Sequence, residues 1–304
     1  MRDWDDIRFF LAIARGGNLS AAGRLLGVRH TTVLRRLDAL ETRLGLRLFE
    51  RLPGGYTATP AGEEMLTAAR RVEDEMLGMA RRLAGGEIQL SGTVRLAAPD
   101  DLAGSLLPPI LAGLRRRHPG IELELRVSNE FVNLTRRDAD IALRPGVQPP
   151  DAVVSRHIAD IAFAVYGERK FVGSRPPLTR ANDLIHENLL APDDSLAHTT
   201  VAQWLRQAVP GNHGICRSNS FAHLMIACST GMGFAVLPCF LGDTVPDLIR
   251  ALPPQQAMRS PLWILTHADL WTTAPTRAVL DFLAEGITAK KILLEGHAMP
   301  AMPR

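Results

Sequence analysis

The chain has 304 residues, 46% of them hydrophobic, and its 35 lysines and arginines against 32 acids give a formal net charge of +3. That is enough apolar material for the cores of two or three domains, which excludes wholesale disorder, and the mild basic excess permits a nucleic-acid partner without demanding one. The 3 cysteines, Cys216, Cys228 and Cys239, are widely spaced with no C-x-x-C pair, charges precede any apolar run, and no stretch reaches the ~20 apolar residues of a membrane helix. The sequence thus predicts no disulfide framework, metal site, signal peptide or membrane partner, and a reducing, cytoplasmic compartment.

In chain order, Trp4, Ile7, Phe9, Phe10, Leu11, Ile13 and Ala14 give a helix with one apolar face, stopped at Gly16-Gly17. Ser20 is placed to cap a short second helix, Ala21 to Leu26, whose packing face is Ala21, Ala22 and Leu25 and which ends at Gly27. A third helix runs from His30 to Leu44 with Val33, Leu37, Leu40 and Leu44 inward, and Gly45 stops it. Leu48, Phe49, the turn Pro53-Gly54-Gly55 and Tyr56 to Thr59 read as a hairpin. Pro60 then opens a long helix, at the first-turn position where proline loses no hydrogen bond. Along it Met65, Ala69, Val72, Met76, Met79 and Leu83 recur at heptad spacing. That seam fits pairing with a second copy of the chain, or packing on its own domain. Arg70, Arg71, Glu73, Asp74, Glu75, Arg81 and Arg82 leave a single apolar stripe, which favours pairing.

Gly85-Gly86 and Ser91-Gly92 read as a hinge, after which strands and helices alternate. The predicted strands are Thr93 to Ala98, Ile121 to Val127, Ala139 to Leu143, Val153 to Ser155, Ile161 to Tyr166, Gly233 to Leu237 and Pro261 to Thr266. In the second, Glu122, Glu124 and Arg126 turn away from Ile121, Leu123, Leu125 and Val127. The predicted helices are Leu102 to Arg117, Val201 to Ala208 anchored by Trp204 and Leu205, Phe221 to Ser229, and Pro275 to Ala284. The tail from Glu295, with Pro300 and Pro303, reads as frayed.

The segment Leu19 to Asp38, a short helix, a tight turn at Gly27-Val28 and a longer helix, is a helix-turn-helix, whose second helix reads the major groove from its N-terminal part. Between Leu19 and Arg51 seven arginines (24, 29, 35, 36, 43, 47, 51) face three acids (Asp38, Glu41, Glu50), a local excess of four. The arginine fork suits phosphate and guanine. Each arginine alone is equally a solvated basic residue; clustered on this scaffold they point to DNA.

The run Asn18-Leu19-Ser20-Ala21-Ala22, Leu25-Leu26-Gly27-Val28, Leu40-Glu41, Leu44-Gly45, Leu48-Phe49-Glu50-Arg51 and Thr59-Pro60-Ala61-Gly62 resembles the LysR-type transcriptional regulators. The rest is similar more loosely, at Gly92 to Leu96, Ala139 to Arg144 and Gly231 to Pro238. The resemblance implies an α/β protein overall. Its parts are an all-α winged helix-turn-helix over 1–60, a linker and dimerisation helix over 61–90, a two-lobed effector domain like a periplasmic binding protein over 91–290, and a tail over 291–304. It implies a regulator that binds double-stranded promoter DNA as a homo-oligomer, a dimer through the linker helix and a homotetramer in most relatives, with a small-molecule effector in the cleft that alters DNA bending. No cofactor is implied. The DNA-contacting candidates are Ser20, Arg29, His30, Thr31, Thr32, Arg35, Arg36, Arg51, Gly54 and Tyr56. The family pattern of Ser, Gln, then Pro or Ser entering the recognition helix is here Arg29, His30 and Thr31, and Leu34 replaces a serine that often contacts DNA. His30 cannot copy the bidentate amide contact to adenine, so the base preference should differ.

For the effector, ligands in such domains sit beyond strand ends near helix N-termini. The candidates are Asp100, Asp101, Asn129, Arg144, Thr199, Thr200, Asn219 and Ser220, with His198 beside them. Asp100 and Asp101 are helix caps facing solvent, or they repel an anion at this helix and select a cationic or neutral group. Arg144 binds an effector acid or pairs with a structural carboxylate. Met232, Phe234, Cys216, Cys228 and His223 read as core or partial core. No G-x-S-x-G elbow or phosphate-binding loop is present, so no catalysis is expected. The alternative to a regulator is a small-molecule binding protein whose first domain serves oligomerisation.

Overall fold

The computed structural model describes residues 4–83, 90–129, 139–146, 153–267, 270–271 and 273–297, without the side chains at 4, 71, 74–75 and 77–83. The hinge glycines Gly85 and Gly86, the tail prolines Pro300 and Pro303, and the side chains of Met79 and Leu83 lie outside the described residues. Two compact units divide the chain between Gly92 and Thr93.

In the first unit, α1 (Trp4–Gly16), α2 (Leu19–Leu26) and α3 (His30–Leu44) close on Phe10, Leu11, Ile13, Ala22, Val33, Leu37 and Leu40. Strands β1 (Phe49–Leu52) and β2 (Gly55–Ala58) pair antiparallel with Leu52 opposite Gly55, so Pro53 and Gly54 form the tip of the wing. α4 (Pro60–Leu83) follows. Three local expectations change. Asn18, not Ser20, caps α2, its Oδ1 accepting from the Ala21 amide at 2.8 Å. The buried face of α2 is Leu19, Ala22, Gly23 and Leu26, one step round the helix from the expected stripe, and it leaves Leu25 63% exposed. At the end of α3, Leu44 is exposed and Glu41 is buried.

Glu41 has a task that a hydrophobic residue could not perform. Its Oε1 accepts from the amides of Leu48 (2.7 Å) and Phe49 (3.2 Å), joining α3 to the first wing strand. Two glycines complete this corner. A Cβ on Gly62 would lie 2.0 Å from the Leu48 carbonyl oxygen, so α4 can cross the chain there only without a side chain. Gly55, at φ 140°, would place a Cβ 2.2 Å from the Gly17 oxygen, which accepts from the Tyr56 amide at 2.7 Å. The α4 seam is split. Met65, Leu66 and Ala69 pack within the unit, whereas Val72 and Met76 are 40% and 38% exposed.

The second unit contains β3 (Gly92–Ala98), a π-helical turn Leu102–Leu106 leading into α5 (Leu107–Arg117), β4 (Ile121–Val127), β5 (Ile141–Pro145), β6 (Val154–Ile161), β7 (Phe163–Glu168), α6 (Arg169–Gly173), β8 (Leu189–Pro192), α7 (Thr200–Ala208), β9 (Cys216–Ser218), α8 (Phe221–Ser229), β10 (Phe234–Pro238), α9 (Cys239–Gly242), β11 (Leu248–Leu252), β12 (Ser260–Thr266), α10 (Ala274–Thr288) and α11 (Lys291–Leu294). They form two five-stranded mixed sheets, ordered β4-β3-β5-β12-β6 and β11-β7-β10-β8-β9. The chain passes between sheets at Ala162 and returns after β11, where Ser260 pairs with Ile161. β6 runs eight residues, longer than the apolar pattern implied, because Ser155, Arg156 and His157 are exposed on an edge strand. β4 is the other edge, and its alternation fails at Leu125 and Val127, both exposed. The chain beyond Leu294 is anchored and not frayed at its start: the Ala162 amide donates to the Leu294 oxygen at 2.9 Å, and Arg250 Nη2 to the Gly296 oxygen at 3.0 Å.

Replacing Glu41 by alanine would leave two buried amides unsatisfied, an expected loss of about 2–4 kcal/mol of stability. Denaturant unfolding of Glu41→Ala measures it. Glu41→Gln, whose side-chain oxygen still accepts, should lose clearly less; equal losses would show that the accepting oxygen is not the cause.

Candidate functional site

Burial of Val33, Leu37 and Leu40 turns the opposite side of α3 outward, and His30, Thr31 and Arg35 are exposed there, with Thr32 half-buried. Arg29 occupies the N-cap position and makes no side-chain cap bond, so it too is exposed. The arginines then divide by what they touch. Arg36 lies 3.8 Å from the buried Asp6 carboxylate and 5.6 Å over the Phe9 ring, and Arg43 also donates to Asp6. Both therefore help fasten α3 to α1. Arg51 donates to Asp38 at 2.7 Å and stands 5.8 Å over the Tyr56 ring, which ties the wing to α3. Among the described residues Arg35 has no ion-pair partner. Ser20 and Gly54 are exposed, and Tyr56 is half-buried against Phe49. The sequence pattern did not separate the arginines, because their partners Asp6 and Phe9 lie on α1.

In the second unit a pocket with a cavity volume of about 130 Å³, open to solvent, lies where the chain passes between the two sheets. Asp101, Asn129, Arg144, Thr199, Thr200 and Asn219 all line it. Asp100 and Ser220 do not. They meet each other instead, the Ser220 hydroxyl donating to the Asp100 carboxylate and joining the end of β3 to the start of α8. The Asp100 amide donates to Asn129 Oδ1 at 3.0 Å. Asp101 is buried and caps its helix through the Leu102 amide at 2.7 Å. Burial foremost, with the neighbouring Asp100 charge, pushes its carboxyl up to about 7.

The sequence reading missed the apolar wall, Ile161, Phe163, Leu196 and Phe221. Its signal was ordinary strand or helix hydrophobicity, which does not distinguish a pocket wall from a core. Met232 and His223 are exposed, not core, and Cys216 is half-buried. Cys228 is fully buried, which pushes its thiol up to about 12. No cluster of three or more His, Cys, Asp or Glu is placed to hold a metal ion among the described residues. No helix among them is long and apolar enough to cross a membrane.

Residues 4–63 match the bacterial regulatory helix-turn-helix protein, lysR family, and residues 88–288 match the LysR substrate binding domain. The chain is 30% identical to the Mau operon transcriptional activator of Paracoccus denitrificans over 287 residues, 93% of this chain and 96% of that one. Full-length OxyR from Pseudomonas aeruginosa has a similar fold, with a TM-score of 0.68 at 20% identity over 94% of this chain and 95% of that one. So does full-length LysG from Corynebacterium glutamicum with bound effector Arg, with a TM-score of 0.66 at 18% identity over 93% and 97%. A winged helix-turn-helix joined to a substrate-binding α/β domain, matched over both parts, places this chain in the LysR family of DNA-binding transcriptional regulators.

Proposed function

We propose that α3 reads promoter DNA through His30, Thr31 and Arg35, with Arg29, Thr32, Ser20 and the wing residues Arg51, Gly54 and Tyr56 contacting the backbone or positioning the wing. The observation that carries this reading is the exposed Arg35, without an ion-pair partner among the described residues, on the face opposite the buried Val33-Leu37-Leu40 stripe. The chain acts as a homo-oligomer, and the exposed Val72 and Met76 on α4 support a contact between copies at that stretch of the linker helix. The division into a DNA-binding domain over 1–60, a linker over 61–90 and an effector domain over 91–290 fits the break in compactness near Gly92. The pocket holds a small-molecule effector that biases the regulator's state. Its polar lining serves binding, not catalysis, and the protein works in the cytoplasm, where its DNA is.

A mobility-shift assay on the DNA upstream of the gene tests the interface. Affinity should fall steeply with salt, by about 0.9 in log K per log unit of salt for each phosphate contacted; a flat response would reject phosphate contacts. Arg35→Ala should cost about 1–3 kcal/mol of affinity for the specific site without changing thermal stability. Arg36→Ala should lower stability as well as binding, because it removes a partner of buried Asp6; a pure binding effect would mean that Arg36 is free to reach DNA.

Asp101 supplies a pH signature. Its carboxyl is held at about 7 in the folded chain, above its ordinary value of 3.8. Between those values the folded state retains a proton that the unfolded chain has lost, so this site's contribution to stability falls as pH rises through the window and stays low above it. Asp101→Asn keeps a cap and removes the titration. Its thermal midpoint should rise relative to the parent from about pH 5 to about pH 8; parallel curves would show that Asp101 does not titrate there.

A further inference from the structure

We propose that the pocket takes a compact, largely apolar organic anion whose carboxylate is held by Arg144, a step that rests on the pocket's being the effector site. The argument begins with hydrogen-bond supply. A threonine or serine hydroxyl has one proton to donate. Thr199 gives its proton to the Leu196 oxygen at 2.8 Å, and Thr200 to the Met258 oxygen at 3.0 Å. Ser220 gives its proton to Asp100. None of these hydroxyls can donate to a ligand without breaking a bond that holds the site together. Thr199 and Ser220 also accept the amides of Ala202 and His223, as caps of α7 and α8.

Arg144 is the opposite case. Its Nη2 is buried with no hydrogen-bond partner, and its Nη1 reaches only the Ser128 oxygen, at 3.4 Å. No carboxylate pairs with it among the described residues, and burial lowers its pKa. A buried guanidinium N–H without an acceptor carries a desolvation cost that an anionic ligand would offset. Asn129 also lines the pocket: its oxygen is taken by the Asp100 amide, which leaves its NH₂ to donate. His198, Gln203, Asn219 and Ser260 also line the pocket, and Ile161, Phe163, Leu196 and Phe221 form an apolar wall, with Phe163 and Phe221 tilted against each other at 5.5 Å between ring centres. The acidic pair at the helix start does not oppose this placement. Asp100 Oδ2 accepts from Ser220 while its Oδ1 is buried without a hydrogen-bond partner, neither Asp100 nor Ser220 lining the pocket, and Asp101 is largely desolvated and caps its own helix. The sequence-based expectation of a cationic or neutral group at Asp100 or Asp101 is the competing assignment, and the probe ranking below decides between it and an anion at Arg144.

The test uses the full chain and three ring-matched probes, benzoate, benzyl alcohol and benzylamine, at matched ionic strength, with calorimetry and thermal midpoints as readouts. Benzoate should bind at least ten-fold more tightly than either of the others. Arg144→Gln should abolish that preference while leaving the weak response to benzyl alcohol unchanged. Arg144→Lys, which keeps the charge and loses the fork, should fall between. Equal or tighter binding of benzyl alcohol or benzylamine would overturn the anion assignment and leave the effector site standing. Retained benzoate preference in Arg144→Gln would overturn the role of Arg144. No response to any probe would overturn both the anion assignment and the reading of the pocket as an effector site, with the DNA-binding reading untouched. Failure of Arg144→Gln to fold leaves the probe ranking on the parent chain as the deciding measurement.

Discussion

The ligand-binding unit depends on the chain's passing between its two sheets at adjacent points. Ile161 ends one sheet, Phe163 begins the other, and the returning strand starts at Ser260, paired with Ile161. The residue in the middle, Ala162, is fully buried, and its amide and carbonyl are satisfied by Leu294 and Cys239. A backbone crossing at such a point must have its polar groups met inside the protein. Once they are met, the crossing strands become the floor of a pocket. The ends of β3 and β5 then supply Asp101 and Arg144 from one sheet, and the segments after β8 and β9 supply Thr199 and Asn219 from the other. These four residues from distant parts of the sequence line one pocket because of two short connections.

In the helical unit, charge serves structure before it serves recognition. Asp6 and Glu41 are buried carboxylates with cationic or donor partners: Asp6 is paired with Arg36 at 3.8 Å and accepts from Arg43, and Glu41 accepts from the amides of Leu48 and Phe49 and from Arg47. Buried charges persist only when paired or hydrogen-bonded. These two fix the angle of α3 against α1 and of the wing against α3. A sum of local charges overstates the cations available to DNA, since Arg36, Arg43 and Arg51 already have acidic partners.

Much of this was legible in the sequence where a local cause acts. The three helices, the wing and α4 follow from apolar periodicity, from glycines at Gly27 and Gly45 that end helices at positive φ, and from Pro60. Elements fixed by distant partners were not legible. β8, β9 and β11 are three to five residues long, and β11 is interrupted by a register shift at Arg250 and Leu252. Pairing within the sheet, and not propensity, makes them strands. The polar half of the pocket was legible because helix starts after strands carry recognisable caps. The apolar half was not, because Phe163 and Leu196 look the same in sequence whether they line a cavity or fill one.

The same division explains why family membership says more about shape than about base sequence. Six of the residues that carry the resemblance, Ala22, Leu40, Glu41, Leu48, Phe49 and Gly62, are buried or sit where backbones nearly touch. Substitution there breaks packing, a buried hydrogen bond or a close approach. Arg29, His30 and Thr31 stand on the exposed side of α3, where a change costs the fold almost nothing. They are also the residues that depart from the family pattern. For this protein the scaffold therefore predicts that α3 enters the major groove, and the departure at His30 predicts that the adenine contact made by a glutamine at that position is absent.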